Sequence, residues 1–535
     1  MFIKKIELKK YKILEDISID LEKEDNHRVF PIISINGGGK SSLLQLIFVF
    51  LHCAFEQNRH EYLKTLLNGF NYSENNSSVI KFELEHNGEN IFLEFIQFKN
   101  SSQSFNFDAI INEKQINEKI NTNDKFYNRL KLLYKLQEDV EESNLSPNLA
   151  YRELRKYTKT KTQDTILKQG NRSTILEFIA SNIDNIESAI DNTDELNQLL
   201  LKANVEKNKL FTELESLELK YAFHFNNNKN ILLFKTNTKI ETLEELSNKI
   251  YLSTPITQVL HFIEDNKLNS LFKNEKYVYS SYENTVRECQ KDLKGLFNYD
   301  FSTIELILEA FKKARDADFK KAIETGEYGN QIKSTRDELS SMFSGKSISV
   351  DSDFKGVSFK LKNSNKALTP KDLSHGELKK LSIYIWLKAI VSEDSLILMD
   401  EVDMGLHPIW QHELYSDLQK WSKGSQFLLA THSPQLISKS HYKNLVVLKP
   451  TKFGTTTEQF TEAPLESDLN TIVKTIMGGE YLPKELIVLR QKYRKLFEQD
   501  KLKTKEAKNI KQKILMYESE NSSFFQDIKF QMQLR

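Results

Sequence analysis

Apolar residues in this chain fall into two rhythms. Val29 to Ile33, Leu396 to Met399, Gln426 to Ala430 and Lys443 to Leu448 are short, mostly apolar runs of the kind that form strands buried on both faces. Leu43 to Phe55 and Leu378 to Ile390 are longer apolar stretches that predict buried helices. Residues 79 to 111 alternate like three antiparallel strands, with His86-Asn87-Gly88 as a hairpin turn. A first strand is expected at Ile3 to Leu8, and the opening MFIKKIELKKYKIL alternates like an edge strand. From about Asn123 to Tyr221 the chain turns polar and helical, with Ile175, Phe178, Ile179 and Ile183 at helical spacing and breaks at Pro147, Gly170 and Asn226 to Asn230. A strand follows at Tyr277 to Tyr279. Near the end, Thr471 to Met477 stops at Gly478-Gly479. Leu486, Leu489, Tyr493, Leu496 and Phe497 then make an amphipathic stripe, and a charged helix leads to Ser523-Phe524-Phe525.

Composition narrows the class. The chain has 535 residues, 39% of them hydrophobic, enough for two or three domains with a large core. Its longest apolar stretch, near Leu46 to Leu51, is far too short to span a bilayer. No leader pattern stands at the N-terminus, so a cytoplasmic protein without membrane contact is expected. Cys53 and Cys289 offer no disulfide framework, and His52, Cys53 and His60 lack the second pair a zinc site needs. Basic and acidic residues balance at 75 each, so the whole molecule has no nucleic-acid signature. Two local stretches differ: Arg152 to Arg172 holds seven basic residues against two acidic, and Lys484 to Lys513 eleven against four. Either could track a phosphate backbone or form a solvated face.

Four segments carry the chemistry. Ser34 to Ser42 (SINGGGKSS) lies between a strand and a helix beginning at Lys40, the geometry in which backbone N–H groups surround a polyphosphate. Asn36, Gly37, Gly38, Gly39, Lys40, Ser41 and Ser42 form this loop: the glycines admit the phosphates, Lys40 supplies charge and Ser41 offers a hydroxyl to Mg²⁺. The pattern G-x-x-x-x-G-K-[ST] is met except at its first glycine, here Ser34. Ser395 to Glu401 (SLILMDE) ends an apolar strand in two carboxylates, placing Asp400 to hold Mg²⁺ and Glu401 to deprotonate the attacking water. Thr431 to Pro434 (THSP) follows another strand and sets His432 to sense the γ-phosphate. Leu373 to Glu377 (LSHGE) precedes a helix, with Ser374 and Gly376 at its N-terminus.

The order of these segments resembles an ABC-type ATPase head, and LSHGE is similar to the L-S-G-G-Q signature, with Glu in the last place as in SMC-like and RecF-like heads. The resemblance implies an α/β fold of two lobes, mixed and parallel sheet with flanking helices, and a homodimer that holds two ATP·Mg²⁺ in composite sites. Lys40, Ser41, Asp400, Glu401 and His432 would come from one chain and Ser374 and Gly376 from the other, with Asp403 at the interface. Tyr11 and Lys12 match positions that touch adenine in related heads. Gln97 and Gln290 are both candidates for the glutamine that senses Mg²⁺, and the sequence does not choose between them.

Lys40 and Ser374 stand 334 positions apart, so something large is inserted. The insert is too short and too interrupted for an SMC arm. The expected division is 1–115 for the first lobe, 116–275 for a mainly helical insert, 276–450 for the second lobe and 451–535 for a helical tail. The layout resembles the Septu-type antiphage ATPase family (PtuA), through Leu406-His407-Pro408, the THSP turn and Glu480-Tyr481-Leu482-Pro483 before the Phe-Phe close. That resemblance implies control of a partner HNH nuclease (PtuB-like), in some systems together with a retron reverse transcriptase and its msDNA, and oligomers built from head dimers. A RecF/SMC-like repair clamp acting on nucleic acid without a nuclease is the competing reading. An OLD-type enzyme is disfavoured because no D-x-D nuclease stretch follows His432, so no nuclease site of its own is expected.

Overall fold

The apolar runs of the sequence become neighbours in one sheet. A computed structural model describes residues 1–21, 28–67, 70, 77–99, 105–142, 145–155, 171–225, 229–263, 278–299, 303–343, 345–364, 366–368, 372–460, 469–479 and 482–534. It divides into two units: Met1–Tyr72, Ser78–Glu94 and Asn237–Arg535 form the first, Ser73–Ser77 and Phe95–Thr236 the second.

In the first unit, strands Val446–Pro450, Val29–Ser34, Gln426–Ala430, Leu396–Asp400, Ile250–Thr254 and Leu296–Asn298 lie side by side in that order, all parallel. Val29–Ser34, Leu396–Asp400, Gln426–Ala430 and Ile250–Thr254 are buried along their whole length, which is why they read as unbroken rather than alternating runs. The helix Lys40–Cys53 covers one face and buries Leu43, Leu44 and every residue from Leu46 to Leu51. The helix His375–Ala389 buries Trp386, whose ring stacks on Phe297 at 4.8 Å. Ligands of open parallel sheets collect at the carboxyl ends of the strands, and Ser34, Asp400 and Ala430 all stand there.

Phe2–Tyr11 is an interior strand rather than the expected edge. It pairs antiparallel with Leu14–Asp20 on one side and Ser77–His86 on the other, and its alternation reflects one buried face. Residues 79 to 111 supply two strands, Ser77–His86 and Glu89–Lys99, not three. Phe107 is buried and the chain enters a helix at Asp108, whose carboxylate suits a helix N-terminus. The strand expected at Tyr277 to Tyr279 is also absent: Tyr277 lies outside the described residues, and Val278–Asp292 is a helix. The sheet is instead rejoined at Ile250–Thr254, earlier than the expected start of the second lobe. Thr455–Gln459, which the sequence did not signal, hairpins onto Val446–Pro450.

The second unit is built from helices Asp108–Glu141, Pro147–Leu154, Arg172–Glu187 and Thr193–Ser216 and the antiparallel pair Lys220–Phe225 and Asn230–Thr236. Asn171 and Asn192 cap two of these helices by accepting from the N–H groups of Thr174 and of Asp194 and Glu195. Leu133, Ile175, Ile179 and Ile183 meet in its core. Most of the basic stretch between Arg152 and Arg172 lies outside the described residues.

At the C-terminal end, Leu469–Thr471 runs into a π-helical turn, Ile472–Ile476, before Gly478 reverses the chain at φ 67°. Helices Lys484–Glu498, Lys505–Ile514 and Ser523–Leu534 follow. The expected stripe of Leu486, Leu489, Tyr493, Leu496 and Phe497 is covered by Ile510, Ile514, Phe524 and Phe525 of its own tail. Among the described residues no helix is long and apolar enough to cross a membrane.

Candidate active site

The loop after Val29–Ser34 is shaped by its glycines. A Cβ on Gly38 would lie 2.5 Å from the Ser34 side chain, and one on Gly39, at φ 93°, would lie 2.7 Å from Leu14. Ser34 thus occupies the room that the motif's first glycine leaves empty, and Gly38 gives way to it. Its hydroxyl donates to Ile35 O at 2.7 Å and accepts from Lys40 Nζ at 3.0 Å. Beyond the loop, the free N–H groups of the Lys40–Cys53 helix start face the loop with no acidic residue in the first turn, an arrangement that favours an anion. Asn36 and Gly37 are exposed, and Ser41 and Ser42 are half-buried.

Lys40 is 7% exposed and also reaches His432, Nζ to Nε2 at 2.8 Å. An ammonium donates, so this nitrogen of His432 accepts and the ring proton sits on Nδ1. Burial holds Lys40 below the usual lysine range, against the attraction of Asp400, Glu401 and Asp403. Partial burial and then the Lys40 charge hold His432 below the usual histidine value.

Asp400 is 1% exposed, and among the described residues neither carboxylate oxygen has a hydrogen-bond partner of good geometry. Burial pushes its carboxyl up to about 6; the nearby Ser41 hydroxyl opposes this, Glu401 and Asp403 add to it and Lys40 pulls it down. A buried, unpartnered carboxylate beside a serine hydroxyl fits a hard cation that takes oxygen ligands, as Mg²⁺ does. Glu401 follows at φ 51°, a left-handed conformation that turns the chain off the strand, and its N–H bonds Ala430 O at 3.1 Å. Asp403 is buried in the next turn with Oδ1 unpartnered among the described residues.

Ser374 caps the helix His375–Ala389 in a capping box: its hydroxyl accepts from Glu377 N–H at 3.2 Å, and Glu377 accepts from Ser374 N–H at 2.9 Å. The Ser374 hydroxyl proton stays available to an acceptor outside the helix. Glu377, the residue that departs from the signature's glutamine, is held by Lys346 at 2.7 and 2.8 Å, and despite burial its carboxyl lies below the usual range. Ser374 is exposed and Gly376 is packed against Gly405.

Tyr11 is buried with its ring 4.5 Å from Phe70, and Lys12, at φ 51° in the following turn, lies over that ring. Gln97 is buried in the second unit, and Gln290 donates to Asn298 at 2.8 Å. His52 and His60 bond the carbonyls of Ser247 and Ala54.

One residue escaped the sequence reading. Thr254 ends the strand beside Leu396–Asp400, where Met399 pairs with Ser253, so Thr254 is level with Asp400 on the same face. It is fully buried, and its hydroxyl has no partner among the described residues. The run Ile250 to Thr254 was the available signal, a short apolar segment ending in hydroxyl residues.

A family profile described as AAA domain, putative AbiEii toxin, Type IV TA system matches residues 35–438. The chain is similar to the Retron Vc95 probable ATPase of Vibrio cholerae serotype O1 biovar El Tor, 28% identical over 23% of this chain and 25% of that protein. It is 41% identical to the Retron Ec83 probable ATPase of Escherichia coli over 10% of each. The matched stretches thus span about a quarter and a tenth of these relatives' lengths. Among solved structures, the SMC head domain from Thermotoga maritima aligns at 11% identity and TM-score 0.37 over 86% of this chain and 100% of that one.

Proposed function

Because the chain belongs to the family described as AAA domain, putative AbiEii toxin, Type IV TA system, we propose that it is an ATPase that closes ABC-type head dimers on ATP and Mg²⁺ to control a partner nuclease in antiphage defence. The observation that carries the ATPase reading is Lys40 held between Ser34 and His432, on the loop that precedes a helix start, beside the unpartnered carboxylate of Asp400. Lys40 and the loop N–H groups bind the polyphosphate, and Lys40 leaves His432 for the phosphate oxygens. His432 is then free to contact the γ-phosphate. Asp400 and Ser41 would hold Mg²⁺, which supplies charge neutralisation on the phosphates. Glu401 takes the proton of the attacking water. Ser374 and Gly376 of a second copy complete the site, with Asp403 at the interface, and loss of the γ-phosphate releases the two heads.

The defence role rests on the kind of proteins the relatives are, both retron probable ATPases, and on the Septu-type layout of the tail. On this reading the nuclease is an HNH protein encoded nearby, joined in a retron version by a reverse transcriptase and msDNA. Affinity capture of the tagged protein from its native locus, with mass spectrometry and nucleic-acid extraction, tests this. An HNH protein in the eluate, with or without a branched RNA-DNA species, supports the reading. Recovery with replication and repair proteins instead favours a RecF/SMC-like clamp.

A further inference from the structure

Lys379 lies two residues past the signature motif, on the buried face of the helix that Ser374 caps, and is 5% exposed. A buried ammonium must find acceptors, and Lys379 finds them on the neighbouring catalytic turn. Its Nζ donates to Glu401 O at 2.9 Å and to Met404 O at 2.8 Å, and lies 4.3 Å from the centre of the Tyr299 ring. Glu401 is the residue that stands left-handed at φ 51°, a conformation that a non-glycine residue keeps only when its surroundings fix it. Glu401 N–H to Ala430 O and Met404 N–H to Glu401 O, both at 3.1 Å, also fasten this turn, and Gln411 Nε2 donates to Asp403 O at 3.1 Å and Leu406 O at 2.9 Å. Backbone contact adds to this clamp. A Cβ on Gly376 would lie 2.8 Å from Gly405 O, and one on Gly405 would lie 2.8 Å from His375 Cδ2. The signature loop and the turn from Glu401 to Gly405 therefore pack as one body, with the lysine as its polar bolt.

We propose that Lys379 is a positioning residue that fixes Glu401 through its main chain and ties it to the signature loop, so that the nucleotide met by that loop governs hydrolysis by the same chain's Glu401. The proposal rests on the ATPase reading above. In a head dimer the signature loop meets the partner's nucleotide while Glu401 serves the chain's own, so this contact couples the two composite sites. A general base displaced by about 1 Å loses on the order of 100-fold in rate, which sets the scale of the effect.

The test compares Lys379→Met, which fits the space without a donor, with Lys379→Arg, which keeps donors. Steady-state turnover of Lys379→Met is expected to show kcat reduced about 10- to 100-fold, KM within about threefold of wild type, and a Hill coefficient for ATP lowered towards one. Deuterium uptake by amides 401–406 is expected to rise in this variant without nucleotide. Lys379→Arg is expected to keep kcat within about fivefold. Wild-type kcat and uptake in the Met variant overturn the proposal, as does loss of ATP binding in parallel with turnover, which marks a merely structural lysine. Should the Met variant not fold, an Arg variant that folds but is inactive overturns it equally. A wild-type protein without turnover would sink the ATPase reading, while the uptake comparison would still judge the clamp.

Discussion

At the carboxyl end of the parallel sheet, Asp400 is 1% exposed and its oxygens have no hydrogen-bond partner of good geometry among the described residues; in the C-terminal tail, Ile514 is just as deeply buried, among Leu496, Phe497 and Phe525. In the tail, Arg490 pairs with Glu518 and Arg494 with Asp527, Tyr517 donates to Glu485, and from Lys484 on the Ser522 hydroxyl is the one buried side-chain polar atom without a partner among the described residues. Among the described residues, the sheet end buries both Asp400 oxygens, Asp403 Oδ1 and the Thr254 hydroxyl without such partners. Satisfied polar groups and an apolar interior stabilise a fold; unsatisfied ones cost stability and persist where a ligand completes them. On the proposed reading, the first region binds and the second coheres.

The strongest way to break it is Lys40→Ala. Loss of the ammonium is expected to abolish ATP binding, seen by calorimetry, while circular dichroism and melting remain close to wild type. Retained binding would mean that the loop does not hold the phosphates. Glu401→Gln is the next largest effect: ATP still binds, turnover falls by a factor of about 100 or more, and a closed dimer accumulates on size-exclusion chromatography. Turnover at the wild-type rate would remove Glu401 from the role of base.

The tail supplies the opposite experiment. Ile514→Ala removes methyl groups from a fully buried position and is expected to cost about 2–5 kcal/mol, read as a lower denaturation midpoint. ATP turnover per folded molecule is expected to stay unchanged. If turnover falls with stability intact, the tail belongs to the catalytic device and the contrast fails.

How far the sequence spoke differs between these regions in the same way. Unbroken runs such as Leu396 to Met399 and Gln426 to Ala430 were legible because a strand buried on both faces admits little else, and the glycines and carboxylates at their ends marked the candidate site. The tail stripe was legible as a helix, yet its covering by Ile510, Ile514 and Phe525 depends on how three helices fold back together, which periodicity does not encode. Alternation at Phe105-Asn106-Phe107 read as a strand, but both aromatics serve a local core and the helix begins at Asp108. Thr254 stayed hidden because a threonine at a strand end gains meaning only from the strand beside it, which lies more than a hundred residues away in sequence. Lys379 gains its meaning only once its two carbonyl acceptors are in view.

A titration sharpens the contrast with the smallest effect. Burial raises the Asp400 carboxyl from its ordinary value to about 6, so its ionisation opposes folding. That cost is absent below the usual carboxylate range and grows as pH rises towards about 6, so the metal-free protein loses stability across this window. Mg²⁺ takes the ionised form, and a proton competes with it for the same oxygens. Mg²⁺ affinity with bound nucleotide is therefore expected to be level above about pH 6 and to fall about tenfold per pH unit below it. Asp400→Asn removes the competing proton together with the charge, so its affinity is expected to be weak and flat across the same range. A break near pH 6 that survives in Asp400→Asn would belong to another group, and the unpartnered carboxylate would then be a buried cost with no ligand to explain it.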